Sequence, residues 1–201
     1  MPVQDGAART SVIPAARLAR RALAALLPFL ATSCNSPSPA LYTMEVPPGA
    51  ARRGGPRVIE IRAVSMARYL ERSQIVRSTE NFRLDVLPND WWGEPLDAML
   101  GRVLARALTQ RLPGSTVFVE NGAISVEPEA TLQVNVQRLD QDAARAIHLI
   151  AQFAIRRGAS ETRGVALRVP VRGATTADLV AAMSEAVGQL ADQIATALAA
   201  R

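Results

Sequence analysis

The side chains able to do chemistry are few, and the first is the only thiol of the chain. Cys34 directly follows the small residues Ala31-Thr32-Ser33, which are preceded by the apolar run Ala22 to Leu30. Ahead of that run, residues 1–21 carry Arg9, Arg17, Arg20 and Arg21 against Asp5 alone. A basic segment, an apolar segment and small residues at a cut form a bacterial export signal. A cysteine just past the cut makes it a lipoprotein signal, with residues 1–33 as the signal peptide. The thiol would take a diacylglyceryl group, cleavage would fall between Ser33 and Cys34, and the new N-terminus would be acylated. Ala31 stands three places before the cysteine, where such signals prefer leucine, and Leu30 is one further back. The competing reading makes residues 20–31 a helix of the core and Cys34 a small buried residue. A lone cysteine forms no intramolecular disulfide, and acylation would consume it. Each buried CH2 contributes roughly 0.8 kcal/mol and one acyl chain binds only reversibly, so two or three chains make a lasting anchor. No apolar run of about 20 residues is present to span a bilayer instead.

The other reactive side chains do not assemble into a catalytic pattern. His148 is the only histidine and shares the polar side of an alternating strand with Gln152 and Arg156. Metal sites need several ligands, and no Cys/His cluster joins it. The pairs Glu127/Glu129 and Asp140/Asp142 read as turn or strand-edge charge. No G-x-S-x-G occurs. Gly54-Gly55-Pro56 lacks the Lys-Ser/Thr of a phosphate loop and opens no helix. The expectation is no catalytic residue, no cofactor and no metal. Trp91-Trp92 remain. Adjacent side chains diverge, so Trp92 is expected to brace a helix against a sheet. Trp91 is the candidate for partner contact or for a headgroup-level position, since indole is amphipathic.

The formal charge of +5 suggests nucleic acid, but its distribution argues against that partner. All 23 basic residues are arginine; four precede Cys34, leaving 19 basic against 17 acidic residues after it. A nearly neutral domain has no strong electrostatic pull toward phosphate backbones.

The elements that would hold these residues follow from hydrophobic period. Ser36-Pro37-Ser38-Pro39 reads as an extended tether, so residues 34–40 link the lipid to a domain of residues 41–201. Leu41 to Val46 suggests a first short strand, and Val58 to Val64 alternates with Ile59, Ile61 and Ala63 inward. Residues 74–77 and 82–87 suggest a hairpin. Leu96, Met99, Leu100, Val103, Leu104, Ala107 and Leu108 then fall at helical spacing, with Gly93-Glu94-Pro95 at the start and Pro113-Gly114 at the end. Ser115 to Glu120 predicts a strand. The segments from Ala130, Ala143 and Val165 alternate and suggest an antiparallel meander with one wet face. Thr175 or Thr176 can cap a second helix carrying Leu179, Met183, Ala186, Val187, Leu190, Ile194 and Leu198. This order predicts an α+β fold: a two-layer α/β sandwich, a mostly antiparallel sheet with two long amphipathic helices on one face.

The run Leu70-Glu71-Arg72-Ser73-Gln74-Ile75-Val76 resembles the L-D-R-P-Q-I-V segment of the ABC-type transport auxiliary lipoproteins, the PqiC-like family. Trp92-Gly93-Glu94-Pro95-Leu96 and Arg102 to Leu108 are similar to that family's W-x-E-P-L and R-V-L-A-x-x-L. Ser73 departs from the pattern, which usually has proline there. The resemblance implies a non-enzymatic lipoprotein subunit that works with an MCE-domain protein (PqiB-like) of a PqiABC-like intermembrane lipid transport system. It implies docking to the outer membrane on its periplasmic face and a homo-oligomeric ring. Asn35 agrees with that location, because it is not the aspartate that retains enterobacterial lipoproteins at the inner membrane. The alternative is an envelope scaffolding or assembly lipoprotein without a transport role. A lipid carrier would need a long apolar cavity, whereas these strands are apolar on one face only.

Overall fold

The computed structural model describes residues 38–80, 82–120 and 126–200. The predicted signal peptide, Cys34, most of the tether and the turn at Asn121-Gly122 lie outside them. The chain divides into Met1–Pro37 and Ser38–Arg201, and the second unit carries all the elements that follow.

Among the described residues eight strands and two helices run β1 (Ala40–Tyr42), β2 (Val58–Met66), β3 (Gln74–Glu80), β4 (Arg83–Trp92), α1 (Leu96–Arg111), β5 (Thr116–Val119), β6 (Ala130–Gln141), β7 (Ala146–Arg157), β8 (Ala159–Pro170) and α2 (Thr176–Ala199). A 3₁₀ turn, Arg68–Leu70, precedes β3. The large sheet has the order β5-β2-β6-β7-β8, and a small sheet has the order β1-β4-β3. Both helices pack on the large sheet, α1 over β2 and β5, α2 over β6, β7 and β8. This is the expected α+β sandwich.

The meander β6-β7-β8 and the β3-β4 hairpin are antiparallel. Three other pairings are parallel: β2 with β5, β2 with β6, and β1 with β4. Alternation of apolar residues says which face a strand buries but not which way its neighbour runs, so the mixed character emerges only in the fold. The first strand is also shorter than expected, ending at Tyr42, because the chain leaves the small sheet to lay Met44 into the core.

The predicted apolar stripes are buried. All seven residues given for α1 and all seven for α2 lie in the core, as do Leu132, Val134, Val136, Ile147, Leu149, Ala151, Phe153 and Ile155. Each such Leu, Ile, Val, Met or Phe contributes roughly 1.5–3 kcal/mol by leaving water. One inward residue was misplaced. A bulge between Ile61 and Ala63 turns Ala63 outward and brings Val64 and Met66 against the core.

The caps fix the helix starts. Pro95 is the N-cap of α1, and Asp97 lies in the first turn. Helix α2 opens on a capping box. The Asp178 N–H donates to Thr175 Oγ1 at 3.1 Å, and the Thr175 N–H donates to Asp178 Oδ2 at 2.9 Å. Gly173 makes room for it: its φ is +134°, and a Cβ there would meet the Asp178 carboxylate at 2.2 Å.

Candidate functional site

The two halves of the sequence pattern meet in one cleft. The segment 71–73, leading into β3, and the segment 92–97, leading from β4 into α1, line a space of about 680 Å³. One backbone hydrogen bond joins them, and a second ties the later segment to β1. The Trp92 N–H donates to the Ser73 carbonyl at 2.7 Å, and the Gly93 N–H donates to the Tyr42 carbonyl at 2.8 Å. The bond at Ser73 uses only its carbonyl, which proline also supplies, so the serine keeps the closure that the usual proline would make.

The cleft has an apolar floor and a charged rim. Met66, Trp92 and Leu96 form the floor, with Trp92 only 6% exposed. Trp92 therefore braces α1 against the strands, as expected. Glu71, Arg72, Glu94 and Asp97 form the rim. Glu94 is tied by Arg102, whose Nε donates to it at 3.1 Å while Nη2 donates to Thr43 Oγ1 at 3.3 Å. This arrangement suits capture of a polypeptide segment better than proton transfer. Its floor supplies contact area, and its rim offers carboxylates to basic or N–H groups.

Trp91 is not part of that cleft. It is half-buried, beside Leu41 of β1 and Gln74 of β3, and its indole N–H donates to the Pro88 carbonyl at 2.9 Å. Three extra residues of β4 near Pro88 break the register with β3 and give that bond its geometry. Cys34 lies outside the described residues.

Two polar clusters escaped the sequence reading. Arg111 is 2% exposed; its Nε donates to Asp192 Oδ1 at 2.6 Å, and its Nη groups donate to the carbonyls of Pro47, Ala107 and Gly188. Its position on the apolar stripe of α1, three after Leu108 and four after Ala107, was the available signal. Gly49 must be small, because a Cβ would sit 2.4 Å from the guanidinium.

The second cluster surrounds Asp140, which is 2% exposed rather than a strand-edge charge. Tyr69 donates to it at 2.7 Å and Arg138 at 2.8 Å. Burial first, and then the bond to Asp140, push the Tyr69 hydroxyl well above its ordinary range. Beside it, His148 Nε2 and Asp142 Oδ2 are 2.7 Å apart, so His148 is a paired side chain rather than a solvated one. Burial raises the Asp142 carboxyl, but the Ala146 N–H, His148 and Arg168 outweigh it and hold the group below its usual range. These contacts close the β6–β7 turn. Among the described residues no group of three or more His, Cys, Asp or Glu side chains is gathered as metal ligands would be. Among them, too, no helix is long and apolar enough to cross a membrane.

The sequence profile of the ABC-type transport auxiliary lipoprotein component family matches residues 42–195. No protein of curated function matches the chain. The crystal structure of an uncharacterized protein superposes with a TM-score of 0.68 at 19% identity, covering 80% of this chain and 99% of the other. That of a Xanthomonas campestris protein of family DUF330 superposes with a TM-score of 0.63 at 20% identity, covering 79% and 94%. At such identities the two structures speak for the fold.

Proposed function

The chain belongs to the ABC-type transport auxiliary lipoprotein component family, and we propose that it is the outer-membrane-anchored docking subunit of an MCE-type lipid transport system. In this reading residues 1–33 are removed, Cys34 carries the acyl anchor, and the domain faces the periplasm. The partner is an MCE-domain protein of the PqiB kind, several copies of this chain form a ring around it, and no chemistry is catalysed.

The observation that carries this reading is the convergence of the sequence pattern on one cleft. Glu71-Arg72-Ser73 and Trp92 to Asp97 are far apart in sequence, yet they are bonded to each other and line the same surface. Neither Glu71 nor Asp97 is needed to close the core, since both are exposed. An apolar floor inside a charged rim fits a segment of another chain. Trp91, next to Trp92 on β4, supplies a further amphipathic contact.

The test is co-purification from solubilised membranes. The full-length lipidated protein is expected to bring down an MCE-domain protein. Glu71→Arg with Asp97→Arg should abolish that recovery while the domain stays folded, losing only the roughly 1 kcal/mol that exchanging an acidic for a basic residue costs in the first turn of α1, and Trp91→Ala should weaken it. Recovery of peptidoglycan synthases in its place would point to scaffolding and overturn the transport role.

A further inference from the structure

We propose that the tip of the β3–β4 hairpin is a second membrane contact, entering the same leaflet that holds the acyl chains of Cys34. The proposal rests on the anchor reading above.

The hairpin ends in apolar side chains that the domain leaves uncovered. Phe82, at its apex, is fully exposed and adopts φ 65°, a left-handed conformation that bulky residues seldom take. Leu84 and Val86 follow at alternate positions of β4, on one face, 47% and 37% exposed. Phe82 and Leu84 border a space of about 540 Å³ shared with Tyr69, Arg138, Asp142 and His148, and large apolar groups left exposed together call for an occupant. Arg83 beside them is paired with Asp85 at 3.1 Å, so the tip carries little uncompensated charge from that strand end.

The direction of β1 identifies the occupant. β1 runs parallel to β4, with Leu41 beside Trp91. The chain therefore enters β1 from the side on which β4 begins, which is the side of the tip. β3 serves as a ruler. It runs from Gln74, opposite Trp91, to Glu80, opposite Arg83. Those six steps span about 20 Å at roughly 3.3 Å per residue. Cys34 precedes Leu41 by seven residues, whose extended reach is at most about 24 Å. The covalent limit on the anchor is thus no shorter than the height of the tip. A bilayer that receives the acyl chains is within reach of Phe82. The tip and the anchor together would set the orientation of the domain, which a flexible tether alone leaves free.

The test uses the full-length protein. Acylation consumes Cys34, so Phe82→Cys carries the one free thiol, which takes a nitrobenzoxadiazole probe. The labelled protein is reconstituted into phosphatidylethanolamine–phosphatidylglycerol vesicles with brominated acyl chains. Ser160→Cys, at the start of β8 and away from the hairpin, is the control. The probe at position 82 is expected to shift to the blue and lose most of its emission to the bromines, while the probe at position 160 does neither. An aqueous spectrum at position 82 on acylated, vesicle-floated protein would overturn this proposal alone. The same blue shift for a Cys34→Ser protein in vesicle-free buffer would also overturn it, because a second copy would then cover the tip. A mass spectrum showing unmodified Cys34 would overturn the anchor reading and this proposal with it.

Discussion

Arg111 of α1 and Asp192 of α2 form an ion pair at 2.6 Å in which the guanidinium is 2% exposed and the carboxylate 38%. The asymmetry decides what each substitution does. Asp192→Asn leaves the guanidinium bonded to the Pro47, Ala107 and Gly188 carbonyls and is expected to cost about 1 kcal/mol. Arg111→Ala opens a void and takes the guanidinium from the Pro47 carbonyl, while the Ala107 and Gly188 carbonyls keep their helix bonds, and is expected to cost about 2–3 kcal/mol. Urea denaturation of the two variants checks the ratio, and Gly49→Ala should fall with the second.

The Tyr69–Asp140 pair predicts an alkaline weakness. The folded chain holds the Tyr69 proton after an unfolded chain releases it, near pH 10. Stability from this group is therefore complete below about pH 10 and declines as pH rises beyond it, until the folded hydroxyl also ionises. Tyr69→Phe should lower stability at pH 7 by about 1 kcal/mol and flatten the decline between pH 10 and 11. Urea midpoints across that range read both effects. A variant as steep as the parent would mean that Tyr42, whose hydroxyl is also held above its ordinary range, governs the alkaline limb.

The β6–β7 turn carries a removable strain. Arg145 sits at φ 58°, where its N–H donates to the Asp142 carbonyl and its carbonyl accepts from Val171. Glycine keeps both backbone bonds and has no Cβ to crowd the chain. Arg145→Gly is expected to raise stability by about 1 kcal/mol, seen as a higher melting temperature.

The same turn shows what a sequence can and cannot disclose. The alternation Ile147, Leu149, Ala151 announced a half-buried strand, and the structure buries all three. Both helices were equally readable, since seven residues at helical spacing leave little choice of face. The glycine that usually marks a left-handed turn residue is absent at Arg145, so the turn gave no local sign of its shape. The bulge after Ile61 was hidden for a related reason: Arg62-Ala63-Val64 contains no breaker. The small sheet was unreadable because its pairing is between distant segments. Nothing near Leu41 says that it lies beside Trp91. The cleft was half readable. Its two motifs stood out as a resemblance, but only the fold joins the Ser73 carbonyl to the Trp92 N–H.

The Thr175–Asp178 box gives a simpler check on how α2 is held. Thr175→Ala removes the acceptor for the Asp178 N–H and is expected to cost about 1 kcal/mol. Thr175→Ser should restore most of it. Equal losses for the two variants would mean that the methyl packing, not the cap, matters.

The most direct measurement concerns the N-terminus of the mature protein. Intact mass spectrometry of the membrane fraction is expected to show a chain that begins at Cys34, with a thioether-linked diacylglycerol and an acylated amine. A chain that retains residues 1–33 with a free thiol would contradict the anchored docking subunit at its foundation.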